Sequence, residues 1–528
     1  LMFIQPINPL NNVILTTIAS LIPLLVVLGL LAGVKLSAWI ATLIGSLITI
    51  IVGVGIWGAP LDGSFYAWLS GALVGFWNIS WITIWGLAIY NVLVLSGRFE
   101  VFKNWLIRNS VNDVRVQAIL LAWSFGALME GLVGFGYPWA IVAPLLISLG
   151  FQDLKALKVS ALANNAPVSY GALGTPIILL SSVTGLPLLF VSSTVGRVVA
   201  VLALLPTWVL LYLVDGKRGV KEAWPLALLG SLSYIAGQLP VSNFLGPYLP
   251  DITGSLISFG VLLLFLKVWR PRNLVSFSKA LNGGEKEYSR KEVIEAWIPW
   301  FILIIVVTLW TGPWSPLTKV SIPVVSATAF SSLLNSKVTV SFAFNPFVAG
   351  TSILTSFVLI SLFLRVKASI WSEALKRTFR QLWGAILTGF FVVGLAYEFN
   401  YSGMAYSLAG AASNLGLAFI LISPILGWIA CALSGSNTSS NALFGAFQFT
   451  VGKLLGIPIG LLPSLNSVGA ELGKPVAPQT TSVGVSTTKY VRREGEVIRE
   501  NMPWTFLYLF YLILIGLLYY YLLPIAMT

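Results

Sequence analysis

The sequence predicts an all-α polytopic membrane protein of roughly 12 spans, with two re-entrant helical hairpins and two broken helices in an inverted repeat. Three observations predict it. Of 528 residues, 57% are hydrophobic and only 9% charged, and mean hydropathy is +0.90, too little charge to cover a soluble protein of this length. The 31 Lys and Arg, against 18 Asp and Glu, sit mainly in short loops between apolar runs. Two Gly- and Pro-broken, hydroxyl-rich segments, 130–176 and 434–487, interrupt hydrophobic stretches, one in each half of the chain. Lipid tolerates such irregular backbone only where protein or a water-filled cavity satisfies it, and paired interruptions mark the substrate site of secondary transporters.

Apolar runs long enough to cross fall near 12–34, 36–56, 70–96, 188–214, 224–239, 255–269, 294–312, 345–364, 378–398 and 503–526. Asn12–Val34 reads as a retained first span, because no basic region precedes it as in a signal peptide. Arg98–Arg115, Lys217–Lys221, Lys267–Lys291, Arg365–Arg380 and Lys489–Arg499, with Lys35, Lys155 and Lys158, define the cytoplasmic side. The opposite loops carry only Lys319, Lys337 and Lys453. On this assignment 116–150 enters and leaves from the cytoplasm with its tip near Gly131–Pro138. Segment 417–455 does the same from outside, with its tip near Ser434–Asn441. Each is followed by a crossing helix broken at Asn165–Pro176 or Lys474–Thr481. Equal element order with opposite entry is an inverted repeat offset by about 300 residues. The first repeat spans about 70–269, a cytoplasmic linker about 270–295 and the second repeat about 345–526, within one integral membrane domain over 1–528. Gly312–Asn345, rich in Ser, Pro and Thr, is expected to be an outer loop.

The net charge of +13 would suggest a nucleic-acid partner on a soluble protein, but dispersed loop charges facing a lipid bilayer do not. His is absent and Cys431 is the single cysteine, so no intrachain disulfide, zinc site, other metal centre or cofactor is expected. An intramembrane enzyme lacks the groups it would need. Proton coupling must work without imidazole.

Ser434, Ser436, Asn437, Thr438, Ser439, Ser440 and Asn441 stand together at the second tip. Such groups replace the water shell of a small polar solute, and a half-helix N-terminus adds a positive dipole end that suits a carboxylate. Single hydroxyls at depth often only satisfy one another across packed helices, but this density next to a Gly favours a site. Asn164, Asn165 and Thr175 at the first break, and Gln479 and Thr480 at the second, read as site walls, since each Pro beside them frees a carbonyl. Glu130 at the first tip is an acid at membrane depth, expensive unless paired, hydrated or protonated part of the time, and is the favoured proton carrier. Glu471, before the second break, shares that role with helix capping. Arg197, inside a span, and Lys474, beside Pro475, are candidate counter-ions for a carboxylate. Glu398 ends the run 378–398 and is expected to reach the outer interface. Small-residue pairs such as Gly71/Gly75 are expected by chance among 48 glycines.

The blocks EGLVGFGYPWAIVAPLL (130–146), ANNAPVSYGALGTPI (163–177), VDGKRGVKEAWP (214–225), SGSNTSSNALFGAFQ (434–448) and GKPVAPQTTSVGV (473–485) resemble the L-lactate permease family over nearly the whole chain. Departures fall at Tyr137, where a small residue is usual, and at Val476–Gln479, where Ile-Ser-Pro-Gln is common. The resemblance implies uptake of L-lactate or related short 2-hydroxy monocarboxylates by proton symport across the cell membrane. It also implies an elevator-type movement and a homodimer. A sodium-coupled organic-anion carrier and a cation/proton antiporter of the same architecture are the alternatives.

Overall fold

The computed structural model describes residues 1–278 and 287–528, so the centre of the expected 270–295 linker lies outside the described residues. Among the described residues nine helices are long and apolar enough to cross a membrane, ten if the bent pair Asp153–Ala163 and Val168–Thr184 is one span. They are Val13–Ala32, Ala38–Gly55, Leu61–Leu95, Leu188–Phe244, Pro250–Val268, Arg290–Thr311, Ala368–Ser402, Met404–Ser434 and Glu494–Tyr521. Ile14, Leu25, Ile51, Ile305 and Phe510 remain on the outside of the bundle, where hydrocarbon rather than water suits them.

The chain is mostly but not wholly helical. Strands β1 (Phe3–Gln5), β2 (Ile322–Ser331) and β3 (Ser336–Phe344) form a three-stranded sheet, with β1 parallel to β2 and β2 antiparallel to β3. The stretch expected to be a loop is thus largely a β-hairpin. Its residues alternate, burying Ala327, Ala329, Val340 and Phe342 on one face, and Asn335 takes the left-handed turn (φ 51°). Gln5 fastens β1 further, donating from Nε2 to the carbonyls of Asn400 and Tyr401, both at 2.8 Å.

The runs 188–214 and 224–239 fold back on each other as two antiparallel arms: Ser231 donates to the Ala203 carbonyl at 2.8 Å and Gln238 to that of Gly196 at 3.1 Å, and the backbone between the arms is non-helical at Asp215, Gly216 and Ala223. This turn is held by fully buried Arg115, which meets Asp113 (2.9 Å), Asp215 (3.2 Å) and Glu222 (2.8 Å) and donates to the Asn273 carbonyl. One further expectation is corrected. Glu398 does not reach the interface. Helix Ala368–Ser402 has 35 residues, about 52 Å, so it runs beyond Glu398 and leaves that side chain fully buried.

The Gly71/Gly75 pair is a real contact rather than a chance spacing. A Cβ at Gly71 would lie 2.3 Å from the Val393 carbonyl oxygen, and one at Gly75 would lie 2.2 Å from that of Gly389. Helices Leu61–Leu95 and Ala368–Ser402 therefore touch backbone to backbone. Gly71→Val or Gly75→Val should each cost about 1–3 kcal/mol by forcing the two helices apart. The measurement is thermal unfolding of the purified protein, where an unchanged midpoint would show that this contact carries no stability.

Candidate functional site

Four irregular segments meet in one region. The first helical pair, 114–132 and Tyr137–Ser148, turns through three left-handed residues: Gly134 (φ 62°), Phe135 (φ 57°) and Gly136 (φ 81°). Glycine suits the two outer positions, whereas Phe135 carries the strain and leaves its ring exposed at the cavity described below. The second pair, Phe419–Ser434 and Asn437–Leu455, turns at Gly435 (φ 77°), and Ser436 caps the new helix by accepting from Ser439 N at 3.0 Å. The first broken helix bends by 72° between Asp153–Ala163 and Val168–Thr184, with Ala172, Leu173 and Gly174 left-handed. The second runs Leu461–Gly473, a short turn at Lys474–Val476 and an extended Ala477 before Pro478–Gly484.

These segments interlock through side chains that meet backbone carbonyls of their neighbours, some of them freed by the breaks. Asn441 Nδ2 donates to Pro176 O (3.1 Å), Asn437 Nδ2 to Ser467 O (3.1 Å) and Asn165 Nδ2 to Glu471 O (2.9 Å). Gln479 Nε2 reaches Leu433 O (3.1 Å), and the Thr480 hydroxyl reaches Gly435 O (3.1 Å). Ser440 donates to Gly427 O (3.3 Å). Thr480 also borders Gly136, so one residue touches both turns.

The other predicted groups take three different places. Ser434, Ser436, Thr438, Ser439 and Thr175 line a cavity of about 450 Å³, together with Phe135. Its opposite wall carries Ser80, Thr83, Gln381 and Thr388, none of them singled out by sequence. Ser80, Thr83 and Thr388 donate their hydroxyl protons to their own helix backbones, at 3.1, 2.9 and 2.8 Å. That wall therefore offers mainly lone pairs. The tip wall offers donors: the start of Asn437–Leu455 has N–H groups without intrahelical partners, and Thr438 stands beside them. The cavity is thus polarised, with an anion-favouring wall at the second turn.

Behind the cavity lies a buried charged cluster. Glu130 is bridged by Lys474 Nζ at 3.7 Å and by Asn164 Nδ2 at 3.0 Å. Glu471 accepts from Ser169 N at 2.7 Å and keeps its second oxygen unpartnered. Asp251 is a member sequence reasoning missed. It follows Pro250 at a helix start, a position that reads as a cap, yet it is 1% exposed, packs on Gly131 and accepts from the Tyr234 hydroxyl at 2.7 Å. Three carboxyls thus share one region with one ammonium.

Arg197 is not brought to this cluster. Its Nε donates to Asn243 Oδ1 (3.0 Å) and its Nη1 to the Ala526 carbonyl (2.6 Å), tying its helix to the C-terminal segment.

Residues 16–525 match the family model described as L-lactate permease. The chain is 34% identical over 535 residues to the glycolate permease GlcA of Escherichia coli (strain K12), with 94% of each chain covered. It is 32% identical over 526 residues to the L-lactate permease of Salmonella typhimurium (strain LT2), again over 94% of each. In fold it is similar to the solved structure of Neisseria gonorrhoeae MtrF, with 14% identity, 94% of this chain and 97% of that one covered, and a TM-score of 0.51.

Removing Lys474 leaves Glu130 buried with a single amide partner, and breaking a buried pair in this way costs about 3–5 kcal/mol. Lys474→Met should therefore lower the thermal midpoint, and adding Glu130→Gln should restore most of the loss. Equal midpoints for the single and double variants would show that the two side chains are not coupled.

Proposed function

We propose that this chain, which belongs to the L-lactate permease family, carries L-lactate or a related short 2-hydroxy monocarboxylate into the cell by proton symport. As a member of that family with nine or more membrane-capable helices among its described residues, it is a multi-pass cell-membrane transporter and not an enzyme. The observation that carries the substrate reading is the polarised cavity. Its donors lie at one helix start, where a carboxylate would sit, and Ser80, Thr83 and Thr388, set among apolar residues such as Val27, Ile79 and Val392, would give a 2-hydroxyl its acceptors.

In this reading the two helical pairs are re-entrant hairpins that enter from opposite sides, and the two halves form an inverted repeat. Matching element order supports it: each pair is followed by a broken helix. The cavity lies toward the basic face, between Ser37–Trp39 beside the Lys35 loop and Gln381 beyond Arg380, which fits an inward-facing state. Glu130 is the favoured proton carrier and Lys474 its alternating partner. When the proton is on Glu130, Lys474 is released from its ion pair, and its charge becomes available to the substrate carboxylate. Symport follows if only the doubly loaded or the empty site reorients. Glu471 is a second carboxyl available for the same work.

A sodium-coupled carrier is the second reading, favoured by two buried amide oxygens without partners, Oδ1 of Asn164 and Oδ1 of Asn165.

The test is uptake of labelled L-lactate into proteoliposomes. Accumulation should require an inward proton gradient, vanish when it is collapsed and persist when choline replaces sodium. Dependence on sodium instead would select the second reading, and no uptake would refute the substrate. Thr438→Val should raise KM about tenfold, the loss of one hydrogen bond to a charged group. Glu130→Gln should abolish proton-driven accumulation, and unchanged affinity and coupling in that variant would remove the proton role.

A further inference from the structure

The face opposite the basic loops carries three lysines, Lys319, Lys337 and Lys453. Two of them, Lys337 from β3 and Lys453 from the last turn of Asn437–Leu455, line one pocket of about 240 Å³. The described residues around it include no Asp or Glu, and neither lysine forms an ion pair among the described residues. Thr184, Asn400 and Tyr406 add polar walls.

The position of this pocket matters as much as its charge. Helix Asn437–Leu455 has 19 residues, about 28 Å, with its first turn at the central cavity and its last at the pocket. The helix holding Thr175 at the cavity likewise ends on Thr184 at the pocket. The pocket is the outer counterpart of the cavity, set along the same two elements. Each lysine has an ordinary role by itself. Lys453 would offset a helix C-terminal dipole, and Lys337 would guard the edge strand β3 against unwanted pairing. Neither role requires both to line one acid-free concavity between these helices and the sheet. Both lysines are exposed at the pocket, so their summed field reaches an approaching anion through solvent and weakens as salt is added.

We propose that this pocket is an outer vestibule that captures a small monocarboxylate ahead of the central site, with Lys337 and Lys453 as the attracting charges. The identity of the cargo rests on the permease reading above; the electrostatic capture does not.

Two measurements test it. Cys431 is the single cysteine and is buried, so a cysteine introduced at Ser336, on the pocket wall, reports without background. At low salt Ser336→Cys should react with an anionic methanethiosulfonate about tenfold faster than with a cationic one of similar size. The ratio should fall toward one when Lys337→Gln and Lys453→Gln are added, and should survive when both are replaced by Arg. A ratio near one with both lysines present overturns the proposal. In proteoliposomes the double Gln variant should show a several-fold higher KM for lactate entry at low salt, unchanged kcat, and an unchanged KM from the cytoplasmic face. An unchanged entry KM, or an equal rise from both faces, overturns it too. Wild-type protein that transports no lactate refutes the cargo, and the reagent ratio still decides the vestibule.

Discussion

The structure depends on one constraint: a backbone carbonyl freed by a helix break, and held away from water, must find a donor. Two pairs of helices and two breaks generate many such carbonyls. The chain answers with side chains from the neighbouring segment rather than its own. Pro475 removes the i+4 donor of the Glu471 carbonyl, and Asn165 of the first break supplies it. Asn501 serves Pro475 and the Thr505 hydroxyl serves Leu472, both from the last long helix. These bonds tie the second break to the first and to the last long helix, so residues from both halves of the sequence meet at a common centre.

This bookkeeping also divides the polar residues by task. A hydroxyl or amide whose proton is given to a carbonyl holds the fold, while one left over at a cavity wall can meet a solute. Asn437, Asn441, Gln479 and Thr480 fall in the first group, and Thr438 with the adjoining helix start in the second. Glu130, Asp251 and Glu471 are outside both. They are carboxyls for which the region offers one ammonium, Lys474, so their charge balance requires protons or cations from elsewhere.

Much of this was legible in the sequence, because lipid makes irregular backbone conspicuous. The turns at Gly134–Gly136 and Gly435 and the breaks at Asn164–Gly174 and Lys474–Ala477 lie where Gly, Pro and Asn interrupt apolar runs. What escaped was set by partners distant in sequence. Glu398 read as an interfacial residue because the apolar run stops there, whereas its helix continues beneath the sheet. The hairpin Ile322–Phe344 was hidden by its Ser and Thr content, although VTVSFAF alternates as a half-buried strand should. Asp251 sits beside Pro250 like any helix cap, and its burial comes from Gly131 more than a hundred positions earlier. Arg197 had the right charge at the right depth, but a carbonyl at the far C-terminal segment claims it. Gly71 and Gly75 could not be separated from background until Val393 and Gly389 lay against them.

The strand at Phe3–Gln5 has a consequence for how the molecule is made. It adds to β2 in parallel, and Gln5 binds the carbonyls of Asn400 and Tyr401, so its partners lie more than three hundred residues downstream. During synthesis it must remain unpaired until those partners have been made. Closure of the sheet is therefore a late event in folding, because β1 has no strand to join until Ile322–Ser331 has been made.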